Sequence, residues 1–112
     1  GELGRDAVEV VDFAIEEGLE QFLQGDLRAA QQSLGRCSTL QTRQNVPIEQ
    51  RRFECWYLQG QAAEVLGDCD GLRRVYGEFL AMSAAVRIPQ TWVYPPEGPP
   101  ACPFDPPLAG AA

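Results

Sequence analysis

The nine residues Gly18-Leu-Glu-Gln-Phe-Leu-Gln-Gly-Asp26 and the nine residues Gly60-Gln-Ala-Ala-Glu-Val-Leu-Gly-Asp68 share one outline, 42 residues apart. Each stretch begins with a glycine and ends with a Gly-Asp pair. Glycine can end a helix in a left-handed conformation, and aspartate can cap the helix that follows. The two stretches therefore predict two helix hairpins, each turning at a Gly-Asp pair.

Apolar residues recur at helical spacing on both sides of each turn. Around the first turn they predict helices over residues 6–23 and 27–40, with Val8, Val11, Ile15, Leu19 and Phe22 in the first and Leu27, Ala30, Leu34 and Cys37 in the second. Pro47 suits the start of a third helix, because its fixed φ fits the first helical turn. A fourth helix follows Gly67-Asp68 and ends near Arg87.

The last 25 residues differ in composition from the rest of the chain. Eight of the nine prolines fall between Pro89 and Pro107, and proline removes the hydrogen bonds that a helix needs. We therefore predict an all-α domain over residues 1–87 and an extended, proline-rich tail over residues 88–112. The aromatic residues Trp92 and Tyr94 suit the tail to docking on its own helices or on a partner protein, and disorder is the third alternative.

The second copy of the repeat resembles a tetratricopeptide repeat (TPR), whose pattern includes a Trp, a Leu-Gly, a Tyr and several Ala residues. The matching residues are Trp56, Gly60, Ala63, Leu66-Gly67-Asp68 and Tyr76, and in the first copy Gly18, Gly25-Asp26, Ala30 and Leu34. Leu72 and Phe79 depart from the pattern, since they stand where small alanines are usual. The resemblance covers residues 10–86 and implies two antiparallel helix hairpins in a right-handed stack.

The same resemblance implies a binding groove on the first helix of each hairpin. Its candidate partner-binding residues are Ile15, Leu19 and Phe22 in the first copy and Tyr57, Gln61 and Glu64 in the second, with Trp92 and Tyr94 of the tail added. Ile15 and Leu19 occupy the positions where chaperone-binding relatives clamp a carboxylate with polar side chains. The groove is therefore expected to be apolar and to bind an extended peptide or a partner helix.

Charge and composition exclude some classes of partner and of function. The net charge is −7, and residues 1–26 carry all of it, so nucleic acid and an anionic membrane are disfavoured as direct partners. A basic protein is a possible partner, although an acidic face can also be simply solvated. The chain lacks histidine, which disfavours an enzyme, a metal site or a cofactor. A cysteine enzyme using Cys69 is a weak alternative, since Asp68 and Asp70 would raise the pKa of its thiol.

The four cysteines, Cys37, Cys55, Cys69 and Cys102, form no C-x-x-C pair. We expect reduced, structural thiols in a soluble, cytoplasmic protein, with a disulfide through Cys102 that pins the tail as the alternative.

The sequence thus favours a non-catalytic adaptor or chaperone-like module that binds another protein or peptide. A regulatory segment of a larger protein, resembling the helical activation domains of some bacterial transcription regulators, is a second hypothesis. The proline-rich tail acting as a ligand for a partner domain is a third. Homo-oligomerisation is also possible, because two helix hairpins are fewer than the roughly three repeats that such stacks need.

Overall fold

The structure is a computed structural model that describes residues 2–87, with side chains from residue 8 onward. These residues form four α-helices and no strand, which confirms the all-α prediction. The helices are α1 (Glu2–Leu23), α2 (Leu27–Arg43), α3 (Glu54–Leu66) and α4 (Cys69–Ala85), with a short 3-10 helix at Ile48–Gln50. The predicted tail, residues 88–112, lies outside the described residues.

Both Gly-Asp turns form as predicted. Gly25 and Gly67 adopt left-handed φ angles of 83° and 79°, which glycine tolerates without a steric penalty. At each turn the backbone N–H of the following aspartate reaches back five residues, from Asp26 to the carbonyl of Gln21 at 2.9 Å and from Asp68 to that of Ala63 at 2.8 Å. This bond closes each helix in a Schellman motif.

The aspartate of each turn also caps the next helix. The Asp26 carboxylate accepts a hydrogen bond from the backbone N–H of Ala29 at 3.3 Å, and the Asp68 carboxylate accepts one from that of Gly71 at 3.0 Å. Each cap satisfies one of the N–H groups that a helix start leaves unpaired. The repeated sequence thus corresponds to a repeated local structure.

The third helix begins later than predicted. Pro47 precedes only the 3-10 helix, and α3 starts at Glu54. The reason is a clamp from α2: the Gln41 Oε1 accepts a hydrogen bond from the Arg52 backbone N–H at 2.6 Å, and its Nε2 donates to the Arg52 carbonyl at 3.4 Å. This buried side chain binds the backbone N–H and carbonyl of Arg52, so those groups are not available for helical hydrogen bonds.

The helices pack in chain order. α2 packs against both α1 and α3, α4 packs against α3, and α1 makes a smaller contact with α3. Where α1 crosses α2 the backbones are close, because a Cβ at Gly18 would lie 2.7 Å from the Leu34 Cγ. Gly18 therefore allows the two helices to approach closely. Around α3 and α4 the core is instead aromatic, with Phe53, Trp56, Tyr76 and Phe79 buried together.

The expectation of reduced cysteines is wrong. Cys37 of α2 and Cys55 of α3 form a fully buried disulfide with a Cα–Cα distance of 5.8 Å, within the range that a disulfide can bridge. Cys69 is disulfide-bonded as well. The reason is the crossing of α2 and α3, which brings together two residues that are 18 apart in sequence.

Candidate functional site

The predicted residues of α1 differ in their accessibility. Ile15 is only 5% exposed and belongs to the core, and Phe22 is half-buried against that core. Leu19 is 39% exposed. Of the three, Leu19 alone presents a sizeable apolar surface to a partner, whereas Ile15 holds α1 in place.

The predicted residues of α3 are half-buried. The Gln61 Nε2 donates a hydrogen bond to the Tyr57 Oη at 2.7 Å, so these two side chains hold each other along the helix surface. Glu64 lies one turn further along α3 and is also half-buried. Trp92 and Tyr94, the two predicted residues of the tail, lie outside the described residues.

Two accessible apolar side chains were missed by the sequence analysis. Leu23 is 85% exposed and Val65 is 64% exposed, and they occupy equivalent positions in the two copies, 42 residues apart. Leu23 directly follows Phe22 and Val65 directly follows Glu64, and both of these preceding residues were predicted to bind the partner. The repeat itself could have identified these two residues. Both copies carry an apolar residue at this position, although the core does not require one there.

An ion network joins α1 to the start of α3. The Arg52 guanidinium contacts the Asp12 carboxylate at 2.5 Å and the Glu54 carboxylate at 3.0 Å. Asp12 shares one side of α1 with Leu19 and Leu23, and Glu54 shares one side of α3 with Gln61 and Val65, by helical spacing. The network therefore links the side of α1 that carries Leu19 and Leu23 to the side of α3 that carries Gln61 and Val65. We call these two sides together the α1–α3 face; its residues are Leu19, Leu23, Tyr57, Gln61, Glu64 and Val65.

The network also sets the charge state of the residues that it joins. Partial burial raises the pKa of Glu54, but hydrogen bonds from Arg52 and from the backbone outweigh it, so the net pKa lies below its ordinary value. The hydrogen bond that Arg52 donates to Glu54 in turn raises the pKa of Arg52 above its ordinary value. Both groups stay ionised at neutral pH, which leaves Asp12 and Glu54 as a carboxylate pair around one guanidinium.

A second surface carries the opposite charge. A groove of about 750 Å³ runs beside α2, and its lining includes Arg28, Arg36, Arg43 and Arg74 but no carboxylate. Gly35 and the buried Gln59 also line this groove, and a Cβ at Gly35 would lie 3.1 Å from the Gln59 Nε2. Near the groove, Glu17 pairs with Arg36 and Glu78 with Arg74, both at 3.6 Å. This clustering was not predicted from the sequence, where these arginines enter only through the net charge.

Among the side chains that the structure describes, residues 8–87, no group of three or more His, Cys, Asp or Glu residues could hold a metal ion. Cys69 is disulfide-bonded, so it offers no thiolate between Asp68 and Asp70. None of the four described helices combines the length and the apolar character needed to cross a bilayer.

Comparison of the chain with protein-family models, with curated proteins and with solved structures finds no match.

Proposed function

We propose that this chain is a non-catalytic protein-binding module that holds an extended peptide or a partner helix on the α1–α3 face. The observation that carries the proposal is the equivalent exposure of Leu23 and Val65 on the two helices. Large apolar side chains grouped on a surface typically mark an interaction site. The TPR resemblance supports the same face, as the first helices of its hairpins form the binding surface.

The side chains around this face indicate the chemistry of the partner. Leu19 and Leu23 favour apolar anchors, and Gln61 offers an amide for backbone or side-chain hydrogen bonds. Exposed Glu16 lies one turn from Leu19, and Glu64 neighbours Val65. These carboxylates favour a partner segment in which lysine or arginine flanks apolar residues, in an adaptor or chaperone-like complex.

The disulfide bonds change the cellular compartment in which we expect the protein. Disulfides persist in oxidising compartments and are rare in the cytosol. The bonds at Cys37, Cys55 and Cys69 therefore favour an extracytoplasmic location. The cytoplasmic assignment becomes the alternative. It would require these disulfides to be reduced in the cell, which labelling of free thiols in freshly lysed cells would reveal.

A regulatory segment of a larger protein remains the second candidate function. It shares the helical layout and would use the same α1–α3 face, but toward another domain of its own chain. The substitution experiment below applies to both candidate functions. Replacing the apolar side chains of the α1–α3 face abolishes binding to another domain of the same chain as well as binding to a separate partner.

Replacement of the exposed apolar side chains tests the proposal. The triple variant Leu19→Gln, Leu23→Gln, Val65→Gln should lose partner capture from a lysate while keeping its helical content and unfolding temperature within a few degrees. A photo-reactive residue at position 23 or 65 should cross-link to the same captured protein.

Phe13→Gln is the matched control, because Phe13 is 65% exposed on another side of α1. Capture should survive this substitution, and a photo-reactive residue at position 13 should not cross-link. Equal capture by the triple variant and the wild type, or equal cross-linking from positions 13 and 23, would contradict the proposal.

A further inference from the structure

The groove beside α2 is a second binding surface, made of residues other than those of the α1–α3 face. Its lining comes mainly from α2, with Gln59 of α3, Arg74 of α4 and Val10 of α1. We propose that this groove binds a short acidic segment of another protein, rich in glutamate or aspartate. The proposal does not rest on the α1–α3 face, whose partner is expected to carry basic residues.

Three arginines of α2 extend the positive charge along the groove. Arg28, Arg36 and Arg43 follow one another at spacings of eight and seven residues, about two helical turns each, and all three line the groove. From Arg28 to Arg43 the helix rises roughly 22 Å, at 1.5 Å per residue. An extended peptide covers that length in about seven residues, at roughly 3.3 Å per residue. The groove therefore suits a peptide segment better than a single small anion.

The arginines at the two ends of this row have charge to offer a ligand. Arg28 and Arg43 are exposed, and among the described residues neither has a carboxylate within ion-pair distance. Arg28 attracts the Asp68 carboxylate only from beyond that distance. Arg36 and Arg74 each contact one glutamate carboxylate at 3.6 Å. Because a guanidinium carries five N–H donors, these two arginines can bind a further carboxylate.

A buried amide of α3 opens into the same groove. Gln59 is only 4% exposed, and its Oε1 accepts a hydrogen bond from the Ser38 Oγ at 3.0 Å. Its Nε2 forms no hydrogen bond with another described residue and lies beside Gly35, which has no side chain to cover it. A nearly buried donor without a partner favours a ligand that brings an acceptor. A carboxylate or carbonyl oxygen of a bound peptide would supply that acceptor.

The charge outside the groove favours an acidic peptide over a nucleic acid. The chain carries a net charge of −7, and Glu9, Glu16 and Glu20 of α1 are exposed. A nucleic acid that runs beyond the groove meets a molecule that is negative overall, which weakens its binding. A short acidic peptide keeps its charges inside the groove, and each of its carboxylates matches the paired N–H groups of a guanidinium.

Binding of an end-blocked deca-glutamate peptide to the full-length, unreduced protein tests the proposal. Fluorescence anisotropy of the labelled peptide should show saturable binding, and an uncharged glycine–serine peptide of the same length should show none. The double variant Arg28→Gln, Arg43→Gln should bind deca-glutamate about tenfold more weakly, because it loses two exposed ion pairs that each contribute a factor of a few. Absence of binding by the wild type overturns the proposal.

The double variant Arg73→Gln, Arg87→Gln is the matched control. It removes the same charge from two exposed arginines that do not line the groove, so it should change the affinity less than about twofold. An equal loss in both double variants would mean that overall charge attracts the peptide, and overturns the proposal. The triple variant of the α1–α3 face, Leu19→Gln, Leu23→Gln, Val65→Gln, should bind deca-glutamate as the wild type does, which separates this test from that of the proposed function.

Nuclear magnetic resonance of the wild type locates the peptide without any substitution. The side-chain amide signals of Gln59 should shift as deca-glutamate is added, while those of Gln61, on the α1–α3 face, stay in place. Three results assign the groove to another occupant and overturn the proposal. They are the same Gln59 shift with inorganic phosphate at equal concentration, tighter binding of a single-stranded DNA decamer than of deca-glutamate, and a wild-type dimer that the Arg28→Gln, Arg43→Gln variant dissociates.

Discussion

In the first hairpin a glycine brings α1 close to α2, whereas in the second hairpin α3 and α4 meet through aromatic rings. At the first crossing Gly18 lies directly against Leu34. In the second, the Phe53 and Phe79 rings meet edge to face with centroids 6.2 Å apart. Both hairpins nevertheless turn with the same Schellman bond and the same aspartate cap. A repeated turn can therefore join helices that are held together in two different ways.

The largest expected effect lies in the aromatic core of the second hairpin. Trp56 is buried, and its indole N–H donates to the Glu78 carboxylate at 3.1 Å. Trp56→Ala should lower the free energy of unfolding by about 3–5 kcal/mol, the usual cost of such a cavity. Phe13→Ala, at an exposed ring of the first hairpin, should cost less than about 0.5 kcal/mol. Urea unfolding of both variants checks the contrast, and equal losses would contradict it.

The bond between the hairpins ranks next. The double variant Cys37→Ala, Cys55→Ala removes a disulfide that closes an 18-residue separation, and the unfolded chain should regain entropy worth about 3 kcal/mol. Denaturant unfolding without reductant measures the loss. If the variant unfolds at the same denaturant concentration as the wild type, the disulfide does not stabilise the junction of α2 with α3.

Gly18 tests the close crossing of the first hairpin. Gly18→Ala places a methyl group against Leu34 and should cost about 1–3 kcal/mol through overpacking. Gly77→Ala in α4 is the matched control, since nothing lies within 4 Å of its Cβ position. That change should stabilise the protein by about 0.5–1 kcal/mol, because alanine favours the helix. Thermal unfolding should move in opposite directions for the two variants; a shift in the same direction would contradict this account.

The two capping aspartates distinguish the hairpins by a smaller effect. Asp26→Ala and Asp68→Ala should each cost about 1 kcal/mol from loss of the cap. Asp68 also accepts a hydrogen bond from the Gln31 Nε2 at 2.7 Å, which links the second turn to α2. A double-mutant cycle with Gln31→Ala should therefore show coupling to Asp68 and none to Asp26. Coupling of equal size at both aspartates would contradict the added link.

The smallest effect is the pH dependence of the second turn. The hydrogen bond from Gln31, followed by that from the Gly71 backbone, lowers the pKa of Asp68 below its ordinary value of 3.8. A lowered pKa in the folded state gives stability that is present above the unfolded pKa and is lost as pH falls through the folded one. Stability should therefore decline below about pH 4, and less steeply in Asp68→Asn. Urea unfolding at pH 6 and pH 3 tests this, and equal slopes would contradict it.

Much of the fold followed from the sequence because its signals are local. Gly25, Asp26, Gly67 and Asp68 act within a few residues of themselves, so the turns and caps were predictable. The start of α3 was not, because Gln41 binds the backbone of Arg52 from another helix. The Cys37–Cys55 pairing was hidden for the same reason, since four cysteines allow three pairings and only the crossing of α2 with α3 selects one.

The candidate site followed from the sequence only in part. The shared binding surface of Leu19 and Gln61 stays a prediction from helical register, which could not tell that Ile15 is buried by neighbouring helices. Leu23 and Val65 were passed over because the TPR pattern selected the residue before each of them. Burial decides such cases, and burial depends on packing between elements that are distant in sequence.

The separation of charge in this molecule acts before any partner touches it. Exposed Glu9, Glu16 and Glu20 lie on the side of α1 opposite its buried residues, whereas four arginines line the groove beside α2. The molecule therefore has an electric dipole as well as a net charge of −7. The electric field of a charged partner orients such a molecule. A charged partner that diffuses to within a Debye length, about 8 Å at physiological salt, therefore meets one side preferentially. Its encounters are oriented, and salt weakens that orientation before it weakens the apolar contacts.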